Sequence, residues 1–170
     1  MLQKSSKLVY SFLNLYLLDV RMRWSEVKRP IVCLAPMDGV TNTAYRQIVR
    51  RLNPEVILFS EFTSVDGLVR SERVRTKLDY DPSEQPLFMQ LFGNNPQMFA
   101  EAAKMVEQRG MMGVDIKMGC PAKKIVHSQH GSALMKDPDT ACRIIESIRK
   151  NCGLQAVSYT HLTLPTRAQV

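Results

Sequence analysis

The sequence predicts an α/β protein built on a parallel sheet, and three observations carry that reading. Short apolar runs of strand length recur at residues 31–34, 56–59, 87–92 and 113–117. Glycine, proline or asparagine punctuation closes three of them at once, and apolar residues at helical spacing follow. Single strands alternating with single helices make βαβ units with right-handed crossovers, and these require a parallel sheet. An open doubly wound sheet and a closed barrel both fit four such units and the start of a fifth strand near Gln155. No GxGxxG follows the first strand, which argues against a dinucleotide-binding domain.

The first strand, 31–34, ends in Ala35-Pro36-Met37-Asp38-Gly39, a loop. Thr41 or Asn42 caps a helix whose apolar face is expected to be Ala44, Tyr45, Ile48, Val49 and Leu52. The second strand closes on Ser60-Glu61, and residues 65–77 read as a polar, arginine-rich excursion leading into a turn at Asp79, Asp81 and Pro82. The third strand, 87–92, is stopped by Gly93-Asn94-Asn95, after which Asn95 as cap and Pro96 as first helical residue open a helix ending near Gly110. The fourth strand is followed by a helix opened at Asp137-Pro138 and closed by Gly153.

Composition sets wider bounds. The chain has 170 residues, 45% hydrophobic and 23% charged, which fits one ordinary soluble domain. Its formal charge of +7 favours a polyanionic partner such as nucleic acid. Cys33, Cys120, Cys142 and Cys152 show neither a CxxC nor any metal-ligand spacing, so reduced thiols in a cytosol and no zinc or other metal site are expected. Residues 1–21 differ from the rest: two lysines precede an apolar run too short for a bilayer, and no small-residue cleavage site follows. They read as an atypical extension, with Met22 as the expected true start, and no membrane partner is inferred.

Residues 114–121, VDIKMGCP, place the thiol of Cys120 where a strand gives way to a loop. In parallel α/β folds ligands gather at the carboxyl ends of strands, so this is an active-site address; a small apolar filler role is the alternative.

Five motifs occur in order: LAPMDGVT at 34–41, Ser60-Glu61, QLFG at 90–93, DIKMGCP at 115–121 and GSAL at 131–134. In order and spacing they resemble the tRNA-dihydrouridine synthases over residues 22–156. The resemblance implies the amino-terminal half of a flavin-binding (β/α)8 TIM barrel, and reduction of uridines in tRNA to 5,6-dihydrouridine by FMN that NADPH has reduced. It implies that Pro36, Met37 and Asp38 lie against the flavin, that Gln90 hydrogen-bonds the polar edge of the isoalloxazine, and that Cys120 delivers the proton to the uracil ring. That role needs a neutral thiol; an unperturbed one, at ~8.5, is mostly protonated at pH 7, whereas Lys123 and Lys124 would favour thiolate. Lys117 stands where the family usually has Asn, and Lys only donates whereas the amide both donates and accepts. His127 and His130 are left out of the site as ordinary loop residues, and Arg70, Arg73, Arg75 and Lys77 form either a tRNA-facing patch or a solvated excursion.

A closed (β/α)8 barrel takes ~250 residues, against the 170 present here. Residues 157–170 resemble an in-frame translation of a transposon-end sequencing adapter and are expected not to be biological, His161 included. The chain by itself is therefore expected to be an inactive half-barrel with an unfilled interior, dimerising or aggregating through exposed strand edges. For the parent protein, a cytoplasmic tRNA-modifying oxidoreductase is the leading expectation. Another FMN-barrel oxidoreductase such as a dihydroorotate dehydrogenase, and a non-catalytic RNA-binding half-barrel, are the alternatives.

Overall fold

The computed structural model describes residues 24, 27–120 and 127–158. The expectations for residues 1–21, Pro121, Lys123, Lys124 and His161 lie outside the described residues. Contacts divide the chain after Pro30, and the fold below is that of the unit beginning at Ile31.

The strands are β1 (Leu58–Phe59), β2 (Thr63–Ser64), β3 (Leu87–Phe92), β4 (Gly113–Ile116) and β5 (Gln155–Ser158). They lie in the order β1-β3-β4-β5, with β2 also paired to β3, and every pairing is parallel. The predicted strand at 31–34 is reduced to a bridge between Cys33 and Ile57, flanked by Leu34 N–H donating to Ile57 O at 2.9 Å and Ile57 N–H donating to Val32 O at 3.0 Å. Position in the sheet thus follows position in the chain from residue 33 to residue 158. A doubly wound sheet reverses direction at its switch point, whereas a barrel adds each strand on the same side. This succession is that of half a (β/α)8 barrel, which decides between the two architectures that periodicity left open.

β2 was not expected from the sequence. It continues the line of β1 along β3, with Leu58 opposite Leu87 but Thr63 opposite Leu91. One more residue therefore lies between the two pairings on this side than on β3, which is a bulge across residues 60–62. Within it, Ser60 Oγ accepts from Gln90 N–H at 3.0 Å.

The helices are α1 (Thr43–Leu52), α2 (Val65–Arg70), α3 (Glu72–Arg75), α4 (Pro96–Gln108) and α5 (Pro138–Asn151). Their starts are where side-chain capping puts them: Asn42 accepts from Tyr45 N–H, Asn95 from Gln97 and Met98 N–H, and Asp137 from Thr140 N–H. Phe99, Ala102, Ala103 and Val106 of α4 and Ile144 and Ile148 of α5 pack on Leu87, Met89, Leu91, Val114 and Ile116 of the sheet. Alternation along the strands sends Phe59, Phe88 and Gln90 to the other face, the one that turns inward in a barrel. There Phe59 and Phe88 stack with ring centroids 5.2 Å apart. Gly113 is required beside them, since a Cβ would sit 2.3 Å from the Phe88 ring and 2.7 Å from Gln155 O. Ile57, Phe59 and Phe88 are buried.

Two further expectations change. The expected apolar face of α1 meets the core only through the half-buried Val49: Ile48 is 55% and Leu52 82% exposed, and the buried side chain is Arg46. Its guanidinium meets the fully buried Glu84, with Nε donating to Oε2 at 2.6 Å, while its Nη1 donates to Thr41 O at 2.6 Å. Glu84 Oε1 also accepts from the Thr43 hydroxyl and, at 2.9 Å, from Asp81 N–H. A polar brace seats this helix against the turn Pro82–Glu84. The segment 65–78 is likewise more than a charged excursion, because Val65, Leu68 and Leu78 are buried and carry it onto the core.

Candidate active site at the carboxyl ends of the strands

Residues 90, 115 and 117 share the inner face, because Gln90 pairs with Asp115 across β3 and β4 and residue 117 follows two positions later. The side chains form a continuous row. Gln90 Nε2 donates to Asp115 Oδ2 at 2.6 Å, and Lys117 Nζ donates to Gln90 Oε1 at 3.2 Å. The amide is thereby oriented, with its nitrogen toward the carboxylate and its oxygen toward the ammonium. Lys117 Nζ also lies 4.6 Å from the centroid of the Phe62 ring, a cation–π contact. Phe62 meets Phe92 edge-on at 5.1 Å, and Phe92 meets His130 edge-on at 5.6 Å.

Asp115 is fully buried, and among the described residues its Oδ1 has no hydrogen-bond partner. Burial pushes its carboxyl up to about 6, against the opposing pull of the Gln90 hydrogen bond and the Lys117 charge. A buried carboxylate with one oxygen unsatisfied, beside a cation at the end of a strand, is the kind of group that sites assemble and cores avoid.

The loop after the first bridge forms the neighbouring wall. Met37 N–H donates to Thr41 Oγ1 at 3.1 Å, the Thr41 hydroxyl donates back to Met37 O at 3.0 Å, and Val40 and Thr41 N–H both donate to that same carbonyl. This knots residues 37–41 into a turn with Gly39 at φ +74°, a conformation that favours glycine. Pro36 is half-buried, while Met37 and Asp38 are exposed. Cys120 follows β4, a half-buried free thiol whose carbonyl accepts from Ser132 N–H at 3.0 Å, where the turn Gly131–Lys136 begins.

The fold thus carries Pro36, Met37, Asp38, Gln90 and Cys120 on the segments that end the first, third and fourth strands. Gln90 is only 3% exposed and already engaged at both ends of its amide, a commitment the sequence did not reveal. Sequence reasoning gave no role to Asp115, Glu61 or His130. The signal for Asp115 was an acidic residue inside an apolar strand run. Of the basic cluster, Arg75 turns inward to donate to Leu68 O and Val69 O, Lys77 pairs with Glu61, and Arg70 lies 3.8 Å from Asp66. Among the described residues no group of three His, Cys, Asp or Glu is placed to hold a metal, and no helix is long and apolar enough to cross a membrane.

Comparison with known proteins decides the family. The model of the family described as dihydrouridine synthase matches residues 33–168. The chain belongs to that family. It is 33% identical over 129 residues to a probable tRNA-dihydrouridine synthase of Staphylococcus aureus, covering 74% of this chain and 39% of that protein. Over 115 residues it is 38% identical to tRNA-dihydrouridine synthase B of Pseudomonas aeruginosa, covering 68% of this chain and 35% of that protein. It thus spans little more than a third of the length of the dihydrouridine synthases it matches. The Lys117 ammonium reaches the site by bonding to Gln90.

Proposed function

We propose that, at the length of its relatives, this protein reduces uridines of tRNA to 5,6-dihydrouridine, using FMN that NADPH reduces. The observation that supports it most is the family match, in a chain that sets a free thiol just beyond the Gln90–Asp115–Lys117 row. The donor set suits a flavin: Lys117 offers further N–H groups to ring carbonyls, the orphaned Asp115 Oδ1 still lacks a donor, and Met37 is 38% exposed as apolar surface for a ring. Pro36, Met37 and Asp38 would hold it through backbone and van der Waals contact, and Gln90 through what remains of its amide's bonding capacity. When bound, the reduced cofactor supplies a hydride to one carbon of the uracil 5,6 double bond.

The chain's own residues supply the remainder. Cys120 gives its thiol proton to the other carbon, so that a hydride and a proton together saturate the bond, and solvent reprotonates the sulfur afterwards. Asp115 holds the Gln90 amide in one orientation and offsets the charge of Lys117, which keeps that cation at the site. The family match favours this reading over a small-molecule FMN oxidoreductase and over a non-catalytic half-barrel.

The test is direct. A family-length enzyme carrying these residues, given FMN, NADPH and unmodified tRNA, is expected to add two hydrogens to specific uridines, read by mass spectrometry of nuclease digests. Absence of that mass gain in a flavin-loaded preparation contradicts the proposal. The 170-residue chain by itself we propose to be inactive and self-associating, since Val32, Val40, Tyr45, Ile48 and Leu52 present an exposed apolar surface along the first bridge and α1. Sedimentation should show a dimer or larger species, and a monodisperse monomer contradicts this. We also propose a cytoplasmic setting, where its tRNA substrate is made.

A further inference from the structure

We propose that Glu61 is a positioning residue that clamps the 36–39 loop and ties it to the basic turn at Lys77. The inference rests on the reading of that loop as a cofactor wall. Glu61 follows the β1 strand within the bulge at residues 60–62, and its two carboxylate oxygens reach two different elements. Oε1 accepts from Gly39 N–H at 2.7 Å, and Oε2 accepts from Lys77 Nζ at 3.3 Å. The carboxylate is largely covered, with a side chain 13% exposed against 54% for Lys77.

Each end of this connection is itself fixed. The loop is knotted by Thr41, which is buried and both donates to and accepts from the Met37 backbone. Gly39 at φ +74° directs its N–H out of that turn, so the turn needs an acceptor from another element, and Glu61 provides it from 22 residues away. Lys77 sits in the turn Thr76–Leu78, where Leu78 is buried and the preceding Arg75 is bound to Leu68 O and Val69 O. A charge-assisted bond to a backbone N–H is about twice as strong as a neutral one and sets direction. Glu61 therefore holds the place of the exposed Met37 and Asp38 surface relative to the sheet, and Lys77 holds the Glu61 side chain in the rotamer that does so.

The experiment compares E61A, E61Q and K77M with the unsubstituted family-length enzyme, by amide hydrogen exchange at Gly39 and by FMN dissociation constant. E61A removes both bonds: Gly39 is expected to exchange about tenfold faster and FMN to bind about tenfold more weakly, the scale of one lost charge-assisted hydrogen bond, with the thermal midpoint held. E61Q keeps an acceptor for Gly39 but loses the charge and the bond to Lys77, so both quantities should fall between those of E61A and the unsubstituted enzyme, about threefold to fivefold from the latter. K77M should speed Gly39 exchange by about twofold to threefold, because the carboxylate loses its second anchor. E61A that matches the unsubstituted enzyme in both readouts overturns the clamp, and K77M with unaltered exchange overturns the tie to the basic turn. An unsubstituted enzyme that binds no FMN overturns the proposed function instead, and Gly39 exchange then decides the clamp alone.

Discussion

Glu84 and Asp115 are both fully buried carboxylates, each with a basic residue close by, and they have opposite meanings. Every oxygen of Glu84 is occupied: Arg46 Nε on one, the Thr43 hydroxyl and Asp81 N–H on the other. Asp115 has one oxygen on the Gln90 amide and the other, among the described residues, on nothing. Glu84 lies under α1, away from the carboxyl ends of the strands, and joins a helix to a turn. Asp115 lies on the inner face, two residues before the half-exposed Lys117. Burial of charge is common to both, and completeness of satisfaction separates them. A closed network specifies structure, whereas an open one beside an accessible cation marks a place where a ligand completes the bonding.

The largest effect is expected at the closed network. Replacing Arg46 or Glu84 with alanine leaves a buried charge unpaired and should cost about 3–5 kcal/mol, read by urea unfolding of the family-length protein. A loss below about 1 kcal/mol would make the pair ornamental and break the contrast.

Asp115 gives a different signature, one of pH. Its carboxyl stands at about 6 in the folded protein against 3.8 for an ordinary aspartate. The folded state therefore binds the proton more tightly, so the contribution of Asp115 to stability is greatest below about pH 4 and is lost as pH rises toward about 6. D115N cannot titrate, and its stability should gain on the parent by on the order of 2–3 kcal/mol across that interval. A stability difference that is flat from pH 4 to pH 6 would show that the carboxyl is ordinary.

The alternation of strands and helices, and the caps at Asn42, Asn95 and Asp137, were legible because they rest on periodicity and on residues within one turn of each other. So was the position of Cys120 shortly after a strand, since an apolar run broken by Gly119 needs no tertiary information. The seating of α1 was not legible. Tyr45, Ile48 and Leu52 recur at core-like spacing, but the side chain that is buried is Arg46, whose partner lies 38 residues away in a turn. The bulge at residues 60–62 was equally hidden, because an inserted residue changes register without leaving a mark in composition. Gln90 was named for its amide, yet its two neighbours come from the next strand, and only the β3–β4 register places them.

The smallest effect is expected at Lys117. K117N removes a half-exposed ammonium from Gln90 and from the Phe62 ring, which together should be worth below about 1 kcal/mol of stability. Thermal unfolding should barely move while flavin affinity changes. A large loss of stability instead would place Lys117 with Arg46 among the braces.

The central claim is that the open network serves a reaction in which Cys120 donates a proton. Single-turnover kinetics on the family-length enzyme and its C120A variant test it, with flavin reduction by NADPH and dihydrouridine formation followed on the same preparations. The account predicts retained flavin, nearly unchanged reduction by NADPH and a fall of about 10²–10⁴-fold in dihydrouridine formation, the range for loss of a general acid. Equal dihydrouridine formation by C120A and the unsubstituted enzyme would contradict it and return Cys120 to the role of a small residue filling space.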